Sequence, residues 1–194
     1  AVYSPALTDF VIATRQASHM FVTGPDVVRA TTGEQISAED LGGAKIHGSV
    51  SGVVHYVAED EEDALGQVRS FLAYLPSSSG VSAPLYAYDD ADAQADAEAA
   101  RSVGEIVPAS TRQAYDVVEV VSAVVDHGEL VQVQEEFAAN VVVGFACFEG
   151  HPVGIVANQP LVDAGTLDVD ASEKLARFVR FCDAFGLPVV TFVD

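Results

Sequence analysis

Residues 141–194 read VVVGFACFEGHPVGIVANQPLVDAGTLDVDASEKLARFVRFCDAFGLPVVTFVD and decide the fold class of the chain. Two apolar segments, Val141–Phe148 and Val153–Ala157, flank Glu149–Pro152, whose composition is typical of a turn. The segments that follow are predicted as a polar loop, a helix and a strand: Asn158–Asp170, Ala171–Phe185 and Val189–Val193. This order indicates an α/β fold.

The predicted helix has a regular pattern. Its apolar stripe at three- to four-residue spacing consists of Leu175, Phe178, Val179, Cys182 and Phe185. Its predicted polar face consists of Lys174, Arg177, Arg180 and Asp183. Asp170 is the predicted N-cap with Glu173 three residues later, while Gly186 and Pro188 are typical of a helix end.

The loop before this helix is the first place to look for chemistry. The N-terminus of a helix gathers unpaired backbone N–H groups, which attract anions. The strand after the helix, Val189–Val193, shows no polar alternation, which predicts that both of its faces are covered.

Composition and charge exclude several classes of partner. The apolar content is 49%, and 29 Asp and Glu against nine Lys and Arg give a formal net charge of −20. Such acidity argues against nucleic acid or an anionic membrane as a partner. No apolar run approaches the ~18–20 residues of a membrane span, and we expect a cytoplasmic protein. Cys147 and Cys182 are expected to be small core residues in a reducing compartment.

The remaining chain is organised around weaker signals. Helices are predicted over Thr8–Ala17 and Tyr115–Val125, and strands over Val53–Val57 and Val131–Val133. A further helix is predicted to start at the acidic cluster Glu59–Asp63 and to end at Pro76, with an apolar stripe of Ala64, Val68, Phe71, Leu72 and Leu75. The cluster is better explained as a helix start than as a metal site.

Residues 77–104 have the composition of a linker. Ser77–Gly80 and the run DDADAQADAEAA over Asp89–Ala100 predict an exposed, mobile segment between two domains.

No constellation of catalytic side chains stands out. Ser4 lacks the flanking glycines of a nucleophile elbow. The five histidines are scattered without metal-ligand spacing, and no metal site is predicted. The scarce bases Arg15, Arg29 and Lys45 are expected at the surface rather than on a phosphate.

Several long motifs resemble one known family. GIVANQP at residues 154–160, and LDVDASEKLARFVRFCDAFGLPVVTFVD after it, resemble the carboxyltransferase (β) subunits of biotin-dependent acyl-CoA carboxylases, the propionyl-CoA and acetyl-CoA carboxylase group. The motifs VYSPALTDFVI, SHMFVTGPDVV, EDLGGA, HYVAEDEEDAL and PASTRQAYDVVEVV fall in the same collinear order. Only residues of about 76–104 lack the resemblance.

The resemblance implies a crotonase-like (ClpP/crotonase) fold, a spiral of strand–strand–helix units. Residues 1–76 would be the C-terminal part of an N-terminal carboxyltransferase domain, 77–104 an acidic interdomain linker, and 105–194 the N-terminal part of a C-terminal carboxyltransferase domain. The chain would then be part of a longer subunit. The family's oxyanion-hole glycines are expected just before Ala1 and after Asp194, so no catalytic residue is expected in this chain.

The resemblance also implies the reaction, the cofactor and the partners. Carboxybiotin would release carbon dioxide, and its freed ureido nitrogen would remove the α-proton of propionyl-CoA or acetyl-CoA. The protein would stabilise two oxyanions through backbone N–H donors, each worth about 3–4 kcal/mol of barrier. Biotin would sit on a separate carrier, ATP and magnesium would act only at a partner biotin carboxylase, and the subunit would form a homo-oligomer, typically a hexamer.

The resemblance places substrate-binding residues at two loops. Ala1, Val2 and Tyr3 would start the helix beside the acyl-CoA enolate. The second set would wall the biotin pocket and consists of Asn158, Gln159, Pro160, Gly165 and Thr166. An alternative for Asn158 and Gln159 is that they satisfy buried backbone groups under a fixed turn. Thr166 stands where the family often carries Cys.

Two further functions stay open, together with one property of the surface. The chain could belong to a transcarboxylase or decarboxylase subunit acting on methylmalonyl-CoA, or to a non-catalytic assembly paralogue. The family often has basic residues where this chain has Val118, Cys147 and His151. The acidity predicts either adaptation to high intracellular salt or an acidic surface around a normal site.

Overall fold

The structure is a computed structural model that describes residues 2–110 and 112–194. It divides into two compact units. The first contains Ala1–Arg69 with Gln134–Phe137, and the second contains Ser70–Val133 with Ala138–Asp194. The family-based domain bounds at residues 76 and 104 stay a prediction.

The first unit is built from short elements. Its strands, β1 (Ile12–Thr14) and β2 (Tyr56–Ala58), pair in parallel with Ile12 opposite Tyr56. Its helices are α1 (Tyr3–Ala6), α2 (Pro25–Thr32), α3 (Ala38–Gly42), α4 (Ala44–Ser49) and the first part of α5 (Glu61–Ala73). A small core forms where these elements meet and consists of Val11, Ala13, Ala44 and Val54.

The helix predicted over Thr8–Ala17 is wrong. The chain forms α1 earlier and then β1, because Val11 and the residues of β1 hydrogen-bond with the segment around β2 rather than locally. The His55 N–H donates to the Val11 carbonyl at 2.8 Å, and the Val11 N–H donates back to His55 Nδ1 at 3.1 Å. Long-range pairing therefore overrides the local helix signal.

The second unit is organised around a mixed sheet in the strand order β3–β4–β5–β6. The strands are β3 (Val131–Val133), β4 (Val141–Phe148), β5 (His151–Asn158) and β6 (Val189–Phe192). β4 and β5 form an antiparallel hairpin with Phe148 opposite His151, while β6 runs parallel to β5. The predicted hairpin is confirmed, although β5 begins at His151 and leaves only Glu149 and Gly150 in the turn.

The helices of this unit are the end of α5, α6 (Asp90–Ala100), α7 (Val103–Ile106), α8 (Val117–Ser122) and α9 (Val169–Phe185). Turns of 3₁₀ type occur at Asp126–Gly128 and Asp163–Gly165. Residues 77–104 were predicted to be an exposed, mobile linker, but part of this segment forms the helix α6. Asp89 and Asp92 form a full capping box at its start, and alanine-rich sequence favours a helix even with no buried residue.

Both faces of the β4–β5 hairpin are covered, which explains its uninterrupted apolar sequence. One face carries a core with α8 that consists of Val117, Val121, Val125, Val142, Ala146, Val153, Ile155 and Ala157. On the other face Phe145 lies among aromatic rings: Phe71, Tyr74, Phe178 and Phe181.

β6 corrects the expectation of a strand covered on both faces. In the described part of the chain its side chains alternate between an exposed face and a face packed on the core. Val189 and Thr191 are exposed, while Val190 and Phe192 pack on the core. A short apolar strand thus resembles a buried one in sequence even where one face is open.

α9 is confirmed, with a corrected start and a corrected buried face. Its N-cap is Asp168, whose side chain accepts from the Ala171 N–H, rather than Asp170. Gly186 takes the left-handed conformation expected at the helix end (φ 68°). The buried face consists of Ala171, Lys174, Phe178, Phe181 and Cys182, whereas Val179 is exposed.

α5 and α8 confirm the remaining helix predictions with shorter bounds. α5 begins within the acidic cluster at Glu61 and ends before Pro76. Phe71 is its buried residue, while Leu72, predicted in the stripe, is exposed.

Candidate functional site

The candidate site is the β5–α9 loop, residues 159–168. It leaves the buried strand β5 and ends at Asp168, whose Oδ1 accepts from the Ala171 N–H at 2.8 Å. The loop therefore lies at the N-terminus of a 17-residue helix, where backbone N–H groups and the helix dipole favour negative charge. This is the position that the sequence singled out.

Gln159 is buried and fixes the start of the loop. Its Oε1 accepts from the Val117 N–H at 3.2 Å and from the Leu161 N–H at 3.4 Å. Its Nε2 donates to Asp116 Oδ1 at 2.7 Å. The amide thus ties the loop to the N-terminus of α8. These bonds match the alternative in which Gln159 satisfies buried backbone groups.

Asn158 closes the loop across its base. Its Nδ2 donates to the Gly165 carbonyl at 2.7 Å, so the last residue of β5 holds the far side of the turn. Pro160 is buried next to this bond and removes one N–H from a place where it would need a partner. The side chains of Asn158 and Gln159 are therefore both used to shape the loop.

The loop contains a left-handed run. Asp163, Ala164 and Gly165 have φ values of 47°, 52° and 65°. Only glycine adopts this region freely, and each non-glycine residue there costs about 1–3 kcal/mol unless the surroundings hold it. Thr166 helps to hold the run, because its N–H and its Oγ1 both donate to the Asp163 carbonyl, at 3.2 and 2.8 Å.

Asn140 was missed by the sequence analysis, and it contacts both ends of the loop. Its carbonyl accepts from the Gln159 N–H at 2.9 Å, and its Nδ2 donates to the Thr166 carbonyl at 2.7 Å. The side chain is 3% exposed. No local pattern in the sequence identifies it, since the contact depends on the pairing of β4 with β5.

Lys174 was also missed, because the sequence placed it on the polar face of α9. It is 2% exposed, and its Nζ donates to the Val141 carbonyl at 2.8 Å and to the Ala138 carbonyl at 3.2 Å. A buried ammonium group needs such acceptors to offset its desolvation.

The outer side of the loop presents apolar surface. Leu161, Leu167 and Val169 are exposed by 56%, 56% and 73%. A shallow groove of about 490 Å³ lies at the helix start, lined by Leu167, Asp168, Val169, Ser172, Glu173 and Ala176. The groove therefore offers apolar contacts from Leu167, Val169 and Ala176 beside polar ones from the other three residues.

Titratable chemistry is sparse near the loop. Burial raises the pKa of the Cys182 thiol, on the inner face of α9, to about 11. Within residues 2–110 and 112–194 no three His, Cys, Asp or Glu side chains lie close enough to hold a metal ion. In the same described ranges no helix has the length and apolar content to cross a membrane.

A second cavity in this unit, of about 560 Å³, lies away from the loop. Its lining includes Tyr74, Tyr86, Asp126, Glu129 and Cys147. Burial raises the pKa of Tyr74 to about 12, and burial with the charges of Asp126 and Glu129 raises that of Cys147 to about 11. The Cys147 thiol is therefore neutral at physiological pH. Cys147 is half-buried at this cavity rather than the core residue that was expected, whereas Cys182 is buried.

The residues predicted to lie beside the acyl-CoA, Ala1, Val2 and Tyr3, belong to the first unit. Ala1 lies outside the described residues. Tyr3 begins α1 with Val2 as the N-cap residue, so a helix starts where the resemblance placed one. Val2 is half-buried and Tyr3 is exposed. The ligand-binding role of all the predicted site residues stays a prediction.

The comparisons with known proteins agree on one family. Residues 1–194 match the family described as carboxyl transferase domain. The chain is 51% identical over 195 residues to a propionyl-CoA carboxylase, carboxyltransferase subunit, of Haloferax mediterranei, covering 100% of this chain and 37% of that protein. It is 49% identical over 194 residues to methylmalonyl-CoA decarboxylase subunit alpha of Veillonella parvula, again covering 100% and 37%.

A solved structure gives the same result. Transcarboxylase 12S, described as a hexamer assembly with methylmalonyl-coenzyme A and methylmalonic acid bound, superposes with a TM-score of 0.92 at 42% identity, covering 99% of this chain and 36% of that one. The chain thus spans little more than a third of the length of these relatives. Its mixed α/β fold is that of carboxyltransferase and transcarboxylase domains, and it belongs to the carboxyl transferase domain family.

Proposed function

We propose that this chain is part of a carboxyltransferase subunit of an acyl-CoA carboxylase, which moves a carboxyl group from carboxybiotin to the α-carbon of propionyl-CoA or acetyl-CoA. The observation that carries the proposal is the family match over residues 1–194, joined to a rigid loop at a helix N-terminus. The relative from Haloferax mediterranei bears this activity in its name.

The β5–α9 loop fits biotin as a wall of its pocket. Leu161, Leu167 and Val169 expose apolar side chains that suit the fused rings and the aliphatic tail of biotin. Carboxybiotin, when bound, would supply the carboxyl group to be transferred, and its freed ureido nitrogen would take the α-proton. Gln159 and Asn158 hold the loop through main-chain contacts, so the wall keeps its shape when ligand arrives.

The chemistry assigned to this chain is positioning rather than proton transfer. The Asp168 carboxylate caps α9, and Asp163 takes part in the turn through its main-chain carbonyl. The oxyanions of the reaction would be met by backbone N–H donors on residues before Ala1 and after Asp194. Preorganised donors of this kind are each worth about 3–4 kcal/mol of barrier.

The wider assembly follows from the same proposal. The two units would be parts of two crotonase-like spirals, and the full subunit would form a hexamer in the cytoplasm. Biotin would be attached to a separate carrier, and a partner biotin carboxylase would use ATP and magnesium. Transcarboxylase 12S forms a hexamer and binds methylmalonyl-coenzyme A, which supports both the assembly and the acyl-CoA substrate class.

A specific observation favours a second candidate. The chain is 49% identical to methylmalonyl-CoA decarboxylase subunit alpha, against 51% to the carboxylase subunit, and it is 42% identical to transcarboxylase 12S. All three would share the biotin half-reaction and differ in the molecule that exchanges the carboxyl group with biotin. A non-catalytic assembly paralogue has no comparable support.

The test uses the full-length subunit together with its biotin carboxylase and carrier. The proposal predicts ATP-dependent fixation of radiolabelled bicarbonate into propionyl-CoA or acetyl-CoA. Carboxyl transfer from methylmalonyl-CoA or oxaloacetate to the carrier, with no ATP-dependent fixation, would instead establish the second candidate. No transfer in either assay would favour the non-catalytic assembly paralogue.

A further inference from the structure

Lys174 carries a charge into the core of the second unit. It lies in the second turn of α9 among Ala171, Phe178 and other buried residues, and it is 2% exposed. The chain has only one other lysine, Lys45, and that one is exposed. A buried ammonium is costly, so a position that keeps one needs an explanation beyond packing.

Two hydrogen bonds of Lys174 converge on one turn. Its Nζ donates to the carbonyls of Ala138 and Val141, and the Val141 N–H donates to the Ala138 carbonyl at 3.1 Å. Ala138 is held at φ 44°, a strained conformation for a residue with a side chain. The ammonium thus bridges the two ends of the 138–141 turn, which leads into β4.

Asn140 lies inside this turn and reaches the candidate loop. Its carbonyl accepts from the Gln159 N–H, and its Nδ2 donates to the Thr166 carbonyl. These two acceptor and donor groups contact opposite ends of the loop. Lys174 is therefore linked to Gln159 and Thr166 by hydrogen bonds at each end and by the backbone of the 138–141 turn, which contains Asn140, between them.

We propose that Lys174 is a positioning residue for carboxyl transfer: by holding the 138–141 turn it sets Asn140, and through Asn140 it sets the shape of the β5–α9 loop. The inference rests on the proposed function for its kinetic readout. Lys174 does not touch substrate in this account. Its effect falls on how biotin is seated, not on the acyl-CoA.

The variants are chosen to separate positioning from stability. Lys174→Met fills a similar volume with an apolar side chain but cannot bind the two carbonyls, whereas Lys174→Arg keeps a charged donor. Asn140→Ala removes the next link in the same set of bonds. Lys45→Met is the matched control, since it deletes the other lysine at an exposed place.

The measurement is steady-state carboxyl transfer from a carboxylated acyl-CoA to free biotin, with the full-length subunit. For Lys174→Met we expect the KM for free biotin to rise by about tenfold, equivalent to about 1.4 kcal/mol, with the KM for the acyl-CoA changed by less than about twofold. Lys174→Arg should raise the KM for free biotin less than Lys174→Met does. Lys45→Met should match the parent protein.

Asn140→Ala tests the route of the effect. If Lys174 acts through Asn140, the double variant should lose little more than the worse single variant, because residues in one network do not add. Multiplicative losses in the double variant would overturn the route through Asn140. A lower melting temperature for Lys174→Met with unchanged KM for free biotin would overturn the positioning role.

Hydrogen exchange gives a readout that does not need activity. In the full-length protein, Lys174→Met or Asn140→Ala should speed amide exchange in peptides covering residues 158–168, with helix α6 unchanged. If Lys174→Met does not fold, Asn140→Ala still tests the effect on the loop, and Lys174→Arg should exchange more like the parent protein. A parent protein without transfer activity would count against the proposed function, and unchanged exchange at the loop would count against this inference.

Discussion

Gln159 shows how a residue suggested by a motif can serve structure at the site. Its amide accepts from the Val117 and Leu161 N–H groups and donates to Asp116, and its side chain is buried. The NQP motif predicted that this loop is a binding site. The motif could not say that the amide faces inward, because its partner Asp116 comes from a segment 43 residues earlier.

The first prediction concerns Gln159. Gln159→Ala should lower the free energy of unfolding by about 2–3 kcal/mol, because the buried Val117 N–H and the partly buried Leu161 N–H lose their acceptor. Urea denaturation measures this change. Gln113→Ala, at an exposed position, is the control and should change stability by less than about 0.5 kcal/mol. Equal stability of both variants would show that the inward-facing amide is not needed.

The second prediction concerns Cys147. Its thiol pKa is raised to about 11, first by burial and then by the charges of Asp126 and Glu129. Only the thiolate reacts with iodoacetamide, so labelling of Cys147 should be very slow at neutral pH and should rise about tenfold per pH unit up to its pKa. Glu129→Gln should lower the pKa and speed labelling, as measured by peptide mass spectrometry. Rapid labelling of the parent protein at neutral pH would contradict this.

The elements were predictable where one signal dominates. The β4–β5 hairpin and α9 follow from apolar runs, from the helix period and from Gly186 with Pro188. The prediction failed where a contact distant in sequence decides. β1 forms because it pairs with β2, which lies in a different part of the sequence. Lys174 and Asn140 escaped notice for the same reason, since their acceptors lie on other segments.

The start of α9 supplies the third prediction. Asp168→Ala should cost about 1 kcal/mol of stability through loss of the N-cap bond. Asp170→Ala, two residues later, should cost less than about half of that. Thermal unfolding of the two variants makes the comparison. A larger loss of stability from Asp170→Ala would show that Asp170 is the N-cap, as expected from the sequence alone.

The packing of α9 on β5 supplies the fourth prediction. A Cβ at Gly154 would lie 2.5 Å from Cys182 Sγ and 3.1 Å from the Phe178 ring. Gly154→Ala should therefore destabilise by about 1–3 kcal/mol through overpacking. Gly66→Ala is the matched control, since nothing lies within 4 Å of that position in α5 and alanine favours helix.

A second variant keeps the test of this packing decisive. Cys182→Ala removes the closest obstructing atom, so the pair Gly154→Ala with Cys182→Ala should be less destabilised than the sum of the single changes. Additive losses in urea denaturation would mean that the helix and the strand are not in direct contact at this point.

At the scale of the whole molecule the charge of −20 is the dominant property. Few of the acidic side chains in the described part of the chain form ion pairs, and those that do, such as Glu59 and Glu136 with Arg15, are largely exposed. Repulsion between carboxylates is screened over about 3 Å at 1 M salt. The hypothesis of adaptation to high salt therefore stays a prediction with a direct test.

The fifth prediction follows from that hypothesis. Raising KCl from about 0.1 M to about 2 M should raise the melting temperature by more than about 5 °C, because screening removes self-repulsion in the folded state. Sorbitol at equal osmolality is the control, since it does not screen charge. A protein that is as stable at low salt as in molar KCl would have an acidic surface without this adaptation.

The central claim is that this chain helps to seat biotin for carboxyl transfer without side-chain acid–base catalysis. The most direct measurement is radiolabelled carboxyl exchange between methylmalonyl-CoA and free biotin, catalysed by the full-length subunit with no ATP present. The account predicts exchange that depends on the β5–α9 loop and falls when Asn158 or Gln159 becomes alanine. An active subunit whose exchange rate is unchanged by both substitutions, or a folded subunit with no exchange at all, would contradict it.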